Sequence, residues 1–89
     1  MGEVSLTGVP QPNQVLNLSS APTGTPLTVL STPADPDVSA RLLALGWRLG
    51  AQIAVVRRSG GGARVIELSG ARVAIGGPLA RHLAVKVVA

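Results

Sequence analysis

One histidine, His82, and four acids, Glu3, Asp35, Asp37 and Glu67, are all that this 89-residue sequence offers for metal or acid–base chemistry, and it contains no cysteine. Iron and zinc sites need His, Cys, Asp and Glu side chains converging on one point. Asp35 and Asp37 sit where a helix begins and are explained as its cap, while His82, in PLARHL, reads as a partly exposed surface residue. No high-affinity intramolecular metal site and no cofactor is therefore expected. A nucleophile fares no better, because no serine stands in a G-x-S-x-G elbow or a comparable setting. The sequence reads as that of a non-enzyme. The run SGGG, residues 59–62, looks like a phosphate loop only superficially. It lacks the Lys-Ser/Thr of a P-loop and joins two strands where a nucleotide loop would open a helix, so it reads as a flexible hairpin tip.

Binding chemistry has more to work with. Arg57, Arg58, Arg64 and Arg72 are able to form a basic side, and eight Lys and Arg against four acids give a net charge of +4. Only 13% of the chain is charged, so the high pI of about 11.6 reflects scarce acids more than a dense basic patch. Single-strand nucleic-acid binders stack bases on aromatic side chains, worth about 1–3 kcal/mol per base, and Trp47 is the one aromatic residue here. A duplex binder carries a denser basic footprint. No stable nucleic-acid complex is expected, and the arginines read as solvated strand ends. Protein binding remains. Leu43, Trp47 and Leu49, flanked by Arg41 and Arg48, form an exposed apolar patch with a basic rim if Trp47 turns outward, and Trp and Arg are the types most enriched at binding hot spots. The other reading of Trp47 is structural, as a lid on the core, and the sequence leaves both open.

Those residues need elements to hold them. Residues 1–16 mix Gly, Pro, Gln, Asn and Ser without a sustained period and read as a flexible tail, with one domain over residues 17–89. TPLTVLS alternates as a strand does, Leu27, Val29 and Ser31 on one side and Thr28 and Leu30 on the other. A short helix follows. Asp35 is its expected N-cap, Pro36 suits the first helical position and Asp37 faces the positive end of the dipole. Val38, Leu42 and Leu45 fall at i, i+4 and i+7 as the inward face, and Gly46 supplies the left-handed residue that closes the helix. AQIAVVRR and ARVIELSG read as a hairpin, Ser69-Gly70 as a tight turn into ARVAI, PLARHL as a helical turn begun by Pro78, and AVKVV as a last strand. Short strands joined this tightly close most easily into a small barrel. No apolar run approaches the ~20 residues of a membrane helix, and the start MGEVSLTGVPQPNQ has no basic or apolar leader region. A soluble, cytoplasmic protein is expected.

Taken in order, the strand, the capped helix ending in RLLALG, the hairpin, GARVAI, the short turn and the final strand resemble the FeoA domain, the SH3-like barrel of ferrous iron transport protein A. The likeness covers residues 16–89 and is most specific in RLLALGWRLGAQIAVVRR, while GARVAI followed by PLARHLAVKVV matches the closing half. Two features depart from the family pattern: Trp47 stands where the residue after Leu-Gly is usually aliphatic, and the N-terminal tail is longer than a minimal FeoA chain requires. The resemblance implies a mostly β, five-stranded SH3-like barrel with one short helix inserted after the first strand and a helical turn before the last. It also implies a small cytoplasmic accessory of ferrous iron transport that binds and modulates FeoB, the membrane GTPase and permease. Leu43, Trp47 and Leu49 would supply the apolar contact, and Arg41, Arg48, Arg57 and Arg58 its orientation. The alternatives are an RNA-binding small barrel and a detached regulatory domain of the diphtheria-toxin-repressor type, whose C-terminal domain resembles the same barrel.

Overall fold

Alternation of Val, Ile and Leu with polar residues gives the chain its sheet. The computed structural model describes residues 11–88. Within them run β1 (Val15–Asn17), β2 (Leu27–Val29), α1 (Pro36–Ala44), β3 (Gln52–Arg58), β4 (Arg64–Leu68), β5 (Ala71–Ile75), α2 (Gly77–Ala80) and β6 (Ala84–Val87). The strands form one antiparallel sheet in the order β1-β6-β2-β3-β4-β5. Leu27, Val29, Ile53, Val55, Ile66, Leu68, Val85 and Val87 all face one buried cluster. The fold is the expected mostly β, SH3-like one, with the helix and the helical turn in the expected places.

One strand more is present than the sequence suggests. The expected tail lies largely outside the described residues, but its last part does not: Asn13 N–H donates to Val87 O at 2.9 Å and Val15–Asn17 pairs with β6. A three-residue strand is too short to show alternation, which is why the sequence hides it.

The helix begins as its residues dictate. Asp35 Oδ1 accepts from the N–H groups of Asp37, at 2.8 Å, and Val38, at 3.4 Å, and Pro36 opens the first turn. It ends in a Schellman motif: Trp47 N–H donates to Leu42 O and Gly46 N–H to Leu43 O, both at 2.9 Å. Gly46 has φ +108°, and a Cβ there would press on Ser69 Oγ, so glycine is required on two grounds. The motif corrects the expected inward face. Val38 and Leu42 turn to the core, but Leu45 is already the cap residue beyond the helix and stays 42% exposed. Once the chain leaves the helical repeat, spacing of i+7 no longer predicts direction.

Ser69 (φ 52°) and Gly70 (φ 81°) are both left-handed, as a two-residue hairpin turn between twisted strands requires. The other hairpin, β3–β4, carries a bulge. Val55 pairs with Ile66, and Arg57, not Val56, pairs with the next residue, Val65. The extra residue, Val56, reverses the alternation beyond it, so Arg58 lies opposite Arg64 on the face that carries Val55 and Ile66 further along.

Candidate functional site

The anchor proposed for Trp47 fails on its burial. Trp47 is 1% exposed, one of the largest fully buried side chains, and its Nε1–H donates to Ser31 O at 3.0 Å. The reason lies in the helix end just described. A Schellman motif sets an apolar residue at the second position past the cap against the third-last helical residue; here these are Trp47 and Leu42, both in the buried cluster. Trp47 is the lid of the core and cannot itself touch a partner.

What the buried Trp47 does is turn its neighbours out. Leu43 is 55% exposed, Leu45 42% and Leu49 65%, and Arg41 and Arg48 flank them in solvent. The loop after α1 is held to β2 by bonds from Gly50 N–H to Val29 O and from Val29 N–H to Ala51 O, each 2.9 Å, so Leu49 is displayed from a fixed turn. Leu43 and Leu49 are thus both exposed. Leu45 joins them, although its spacing had assigned it to the core; its position next to a capping Gly is the signal that would have released it.

Arg57 and Arg58 do not belong to that surface. They end a seven-residue strand whose other end, Gln52, adjoins the leucine loop, and at ~3.3 Å rise per residue they lie about 20 Å away. They sit instead with Arg64 at the Gly60–Gly62 turn, which is not the loose tip expected. Arg81 Nη1 donates to Gly61 O at 3.3 Å, and α2 packs so closely that a Cβ on Gly77 would collide with the same carbonyl. Arg64 is 8% exposed; Nη1 donates to Ala63 O at 2.8 Å, Nη2 to Ser19 O, and Nε–H has no partner among the described residues. Burial and the nearby Arg58 charge lower its pKa.

His82 is exposed beside Arg81, and Asp35 is spent as a cap. Among the described residues no three His, Asp or Glu side chains come together as metal ligands. Nor, among them, is any helix long and apolar enough to cross a membrane.

The family model of the FeoA domain matches residues 16–87, which is the whole sheet apart from the first residue of β1. The chain belongs to the FeoA domain family. FeoA domains are accessory domains of ferrous iron transport and not a known enzyme family. The fold agrees with solved FeoA structures. A crystal structure of an iron uptake regulatory protein (FeoA) is 29% identical with a TM-score of 0.69, over 82% of this chain and 96% of that one. A solution structure of FeoA from Chlorobium tepidum is 28% identical with a TM-score of 0.75, over 83% of this chain and 71% of that one. A manganese-dependent transcriptional repressor is 27% identical with a TM-score of 0.67; the match takes in 92% of this FeoA chain but 45% of the repressor. No curated protein sequence matches the chain.

Proposed function

We propose that this FeoA domain acts in the cytoplasm as a non-enzymatic accessory to FeoB, docking on the cytosolic part of that GTPase and permease through Leu43, Leu45 and Leu49. Arg41 and Arg48 form the rim and orient the domain on an acidic surface. The observation that carries this reading is the exposure of three leucines in one rigid stretch, at 55%, 42% and 65%, while the neighbouring Trp47 is buried. An apolar centre with a charged rim is the usual anatomy of a protein interface. The chemistry is recognition alone.

The test is an amide-resolved NMR titration of the labelled protein with the soluble cytosolic domain of FeoB, at low and high salt. Shifts should cluster on residues 41–50 and persist at high salt, since an apolar contact does not release counterions. A Leu43→Glu, Leu49→Glu double variant should keep its fold and bind at least about tenfold more weakly, the loss of a hot-spot contact. Unchanged binding by that variant would remove these leucines from the interface.

The likeness to a manganese-dependent repressor favours a second reading, in which the same domain serves as the protein-contact module of a metal-dependent regulator. The leucine surface would then bind a repressor-type partner, and the FeoB titration would leave residues 41–50 unshifted.

A further inference from the structure

The basic end of the barrel lies apart from the leucine surface, at the Arg58 end of β3. Among the described residues, Arg64 is a buried guanidinium without a carboxylate. The charged group that acts on it is another arginine, Arg58, placed directly opposite across β3 and β4. Like charges in that position oppose pairing, and buried charges are ordinarily neutralised by a partner. The arrangement depends on the bulge at Val56, without which Arg57 would face Arg64 and Arg58 would lie on the other side of the sheet. Bulges that re-aim a side chain are common beside binding sites.

Two more sets of donors converge there. Arg81, exposed, lies across the Gly60–Gly62 turn with Nη1 on Gly61 O, and about 3.4 Å from where a Gly62 Cβ would sit; Ser19, whose carbonyl holds Arg64, is on the same side of Gly62. The turn itself is closed by Ser59 N–H to Ala63 O and Ala63 N–H to Gly60 O. Gly61 (φ 71°, ψ 18°) and Gly62 (φ 83°) are left-handed, and successive N–H groups in such turns form an anion-binding concavity. The Nε–H of Arg64, without a partner among the described residues, adds a further donor.

We propose that Arg58, Arg64, Arg81 and the Gly60–Gly62 turn form a binding site for a phosphate-type oxyanion, which supplies the counter-charge that no described residue gives to Arg64. A tetrahedral oxyanion suits the site because it accepts from several directions at once, where a chloride ion would not bridge three guanidinium groups and a turn. The site is no P-loop, since the glycines join two strands and no Lys-Ser/Thr follows them. Free phosphate, a nucleotide phosphate and an anionic phospholipid headgroup share this chemistry.

The test titrates the full chain, labelled with nitrogen-15, with inorganic phosphate against chloride at matched ionic strength. Saturable shifts are expected at the Arg64 Nε–H and the amides of Gly60–Gly62. Arg58→Gln and Arg81→Gln change exposed residues and should each reduce phosphate affinity on the order of tenfold, as for loss of a charge-assisted hydrogen bond. Arg72→Gln, on β5 and paired in register with Glu67, should leave affinity unchanged. Parallel arms with a nucleoside diphosphate and with phosphatidylglycerol against phosphatidylcholine vesicles identify the source by which of them binds more tightly than free phosphate. Shifts no larger than those in chloride, or equal losses in the Arg72 and Arg81 variants, would overturn the site.

Discussion

Replacing Trp47 by alanine tests the fold and the placement of the docking surface together. Burial of a tryptophan removes roughly 150–250 Å² from water, which at ~25 cal/mol per Å² is worth about 4–6 kcal/mol. Trp47 is 1% exposed and its indole N–H is bonded to Ser31 O, so nearly all of that term applies. Alanine keeps the Cβ and the surroundings relax in part, which brings the expected cost of Trp47→Ala to about 3–5 kcal/mol. Small domains have about 5–15 kcal/mol in total, so much of the stability is at stake. Trp47→Phe retains most of the apolar area but leaves the Ser31 carbonyl without its donor, a loss of about 1–3 kcal/mol. Leu43→Ala, on the exposed surface, should stay within about 0.5 kcal/mol of wild type.

Urea unfolding followed by far-ultraviolet circular dichroism orders the three variants. Fluorescence serves only the wild type and Leu43→Ala, because Trp47 is the sole aromatic; the wild-type emission should resemble that of an indole in an apolar medium and resist quenching by iodide. If Trp47→Ala lost less than about 1 kcal/mol, or if iodide quenched the wild-type indole freely, the core assignment would fail. Trp47 would then return as a candidate contact residue.

Three further outcomes follow from single features. Asp35→Ala removes the cap on the Asp37 and Val38 N–H groups; the cost should be about 1 kcal/mol, a fall in Tm of roughly 4–8 °C by calorimetry. Gly77→Ala drives a Cβ into the Gly61 carbonyl and should destabilise by at least about 1–3 kcal/mol through overpacking, whereas Gly60→Ala points into open space and should be neutral within about 0.5 kcal/mol. The Leu43→Glu, Leu49→Glu variant should unfold at wild-type urea concentration while binding FeoB at least about tenfold more weakly, which separates loss of contact from loss of fold.

Much of this was legible in the sequence because local chemistry repeated what the fold required. Asp35, Pro36 and Gly46 each announce a helix end, Ser69-Gly70 announces a two-residue turn, and the alternations in β2, β3 and β4 fix which side chains face inward. Three features were hidden, each for a separate reason. β1 is held by pairing with β6, a long-range contact with no local signature in three residues. Leu45 turns outward and Trp47 inward because Gly46 breaks the helical period just past the cap, and the inward side chain is then set by the apolar position two residues past the cap. The bulge at Val56 was invisible because Val-Val-Arg-Arg is equally compatible with unbroken pairing; only the partner register shows that Arg58 faces Arg64.

That register also determines how the two surfaces relate. The leucine loop adjoins the Gln52 end of β3 and the arginine cluster its Arg58 end, about 20 Å apart on a strand of this length. Substitutions separated by more than about 7–10 Å, with no shared partner, act additively. Arg81→Gln should therefore leave FeoB affinity unchanged, and Leu43→Glu should leave the phosphate titration unchanged. The double variant should show each single effect and nothing more. A departure from additivity would mean that the β3–β4 hairpin transmits between its ends. In that case the buried, unneutralised Arg64 would be the residue to examine first, because an anion that neutralised it would also relieve the repulsion across the hairpin that carries both sites.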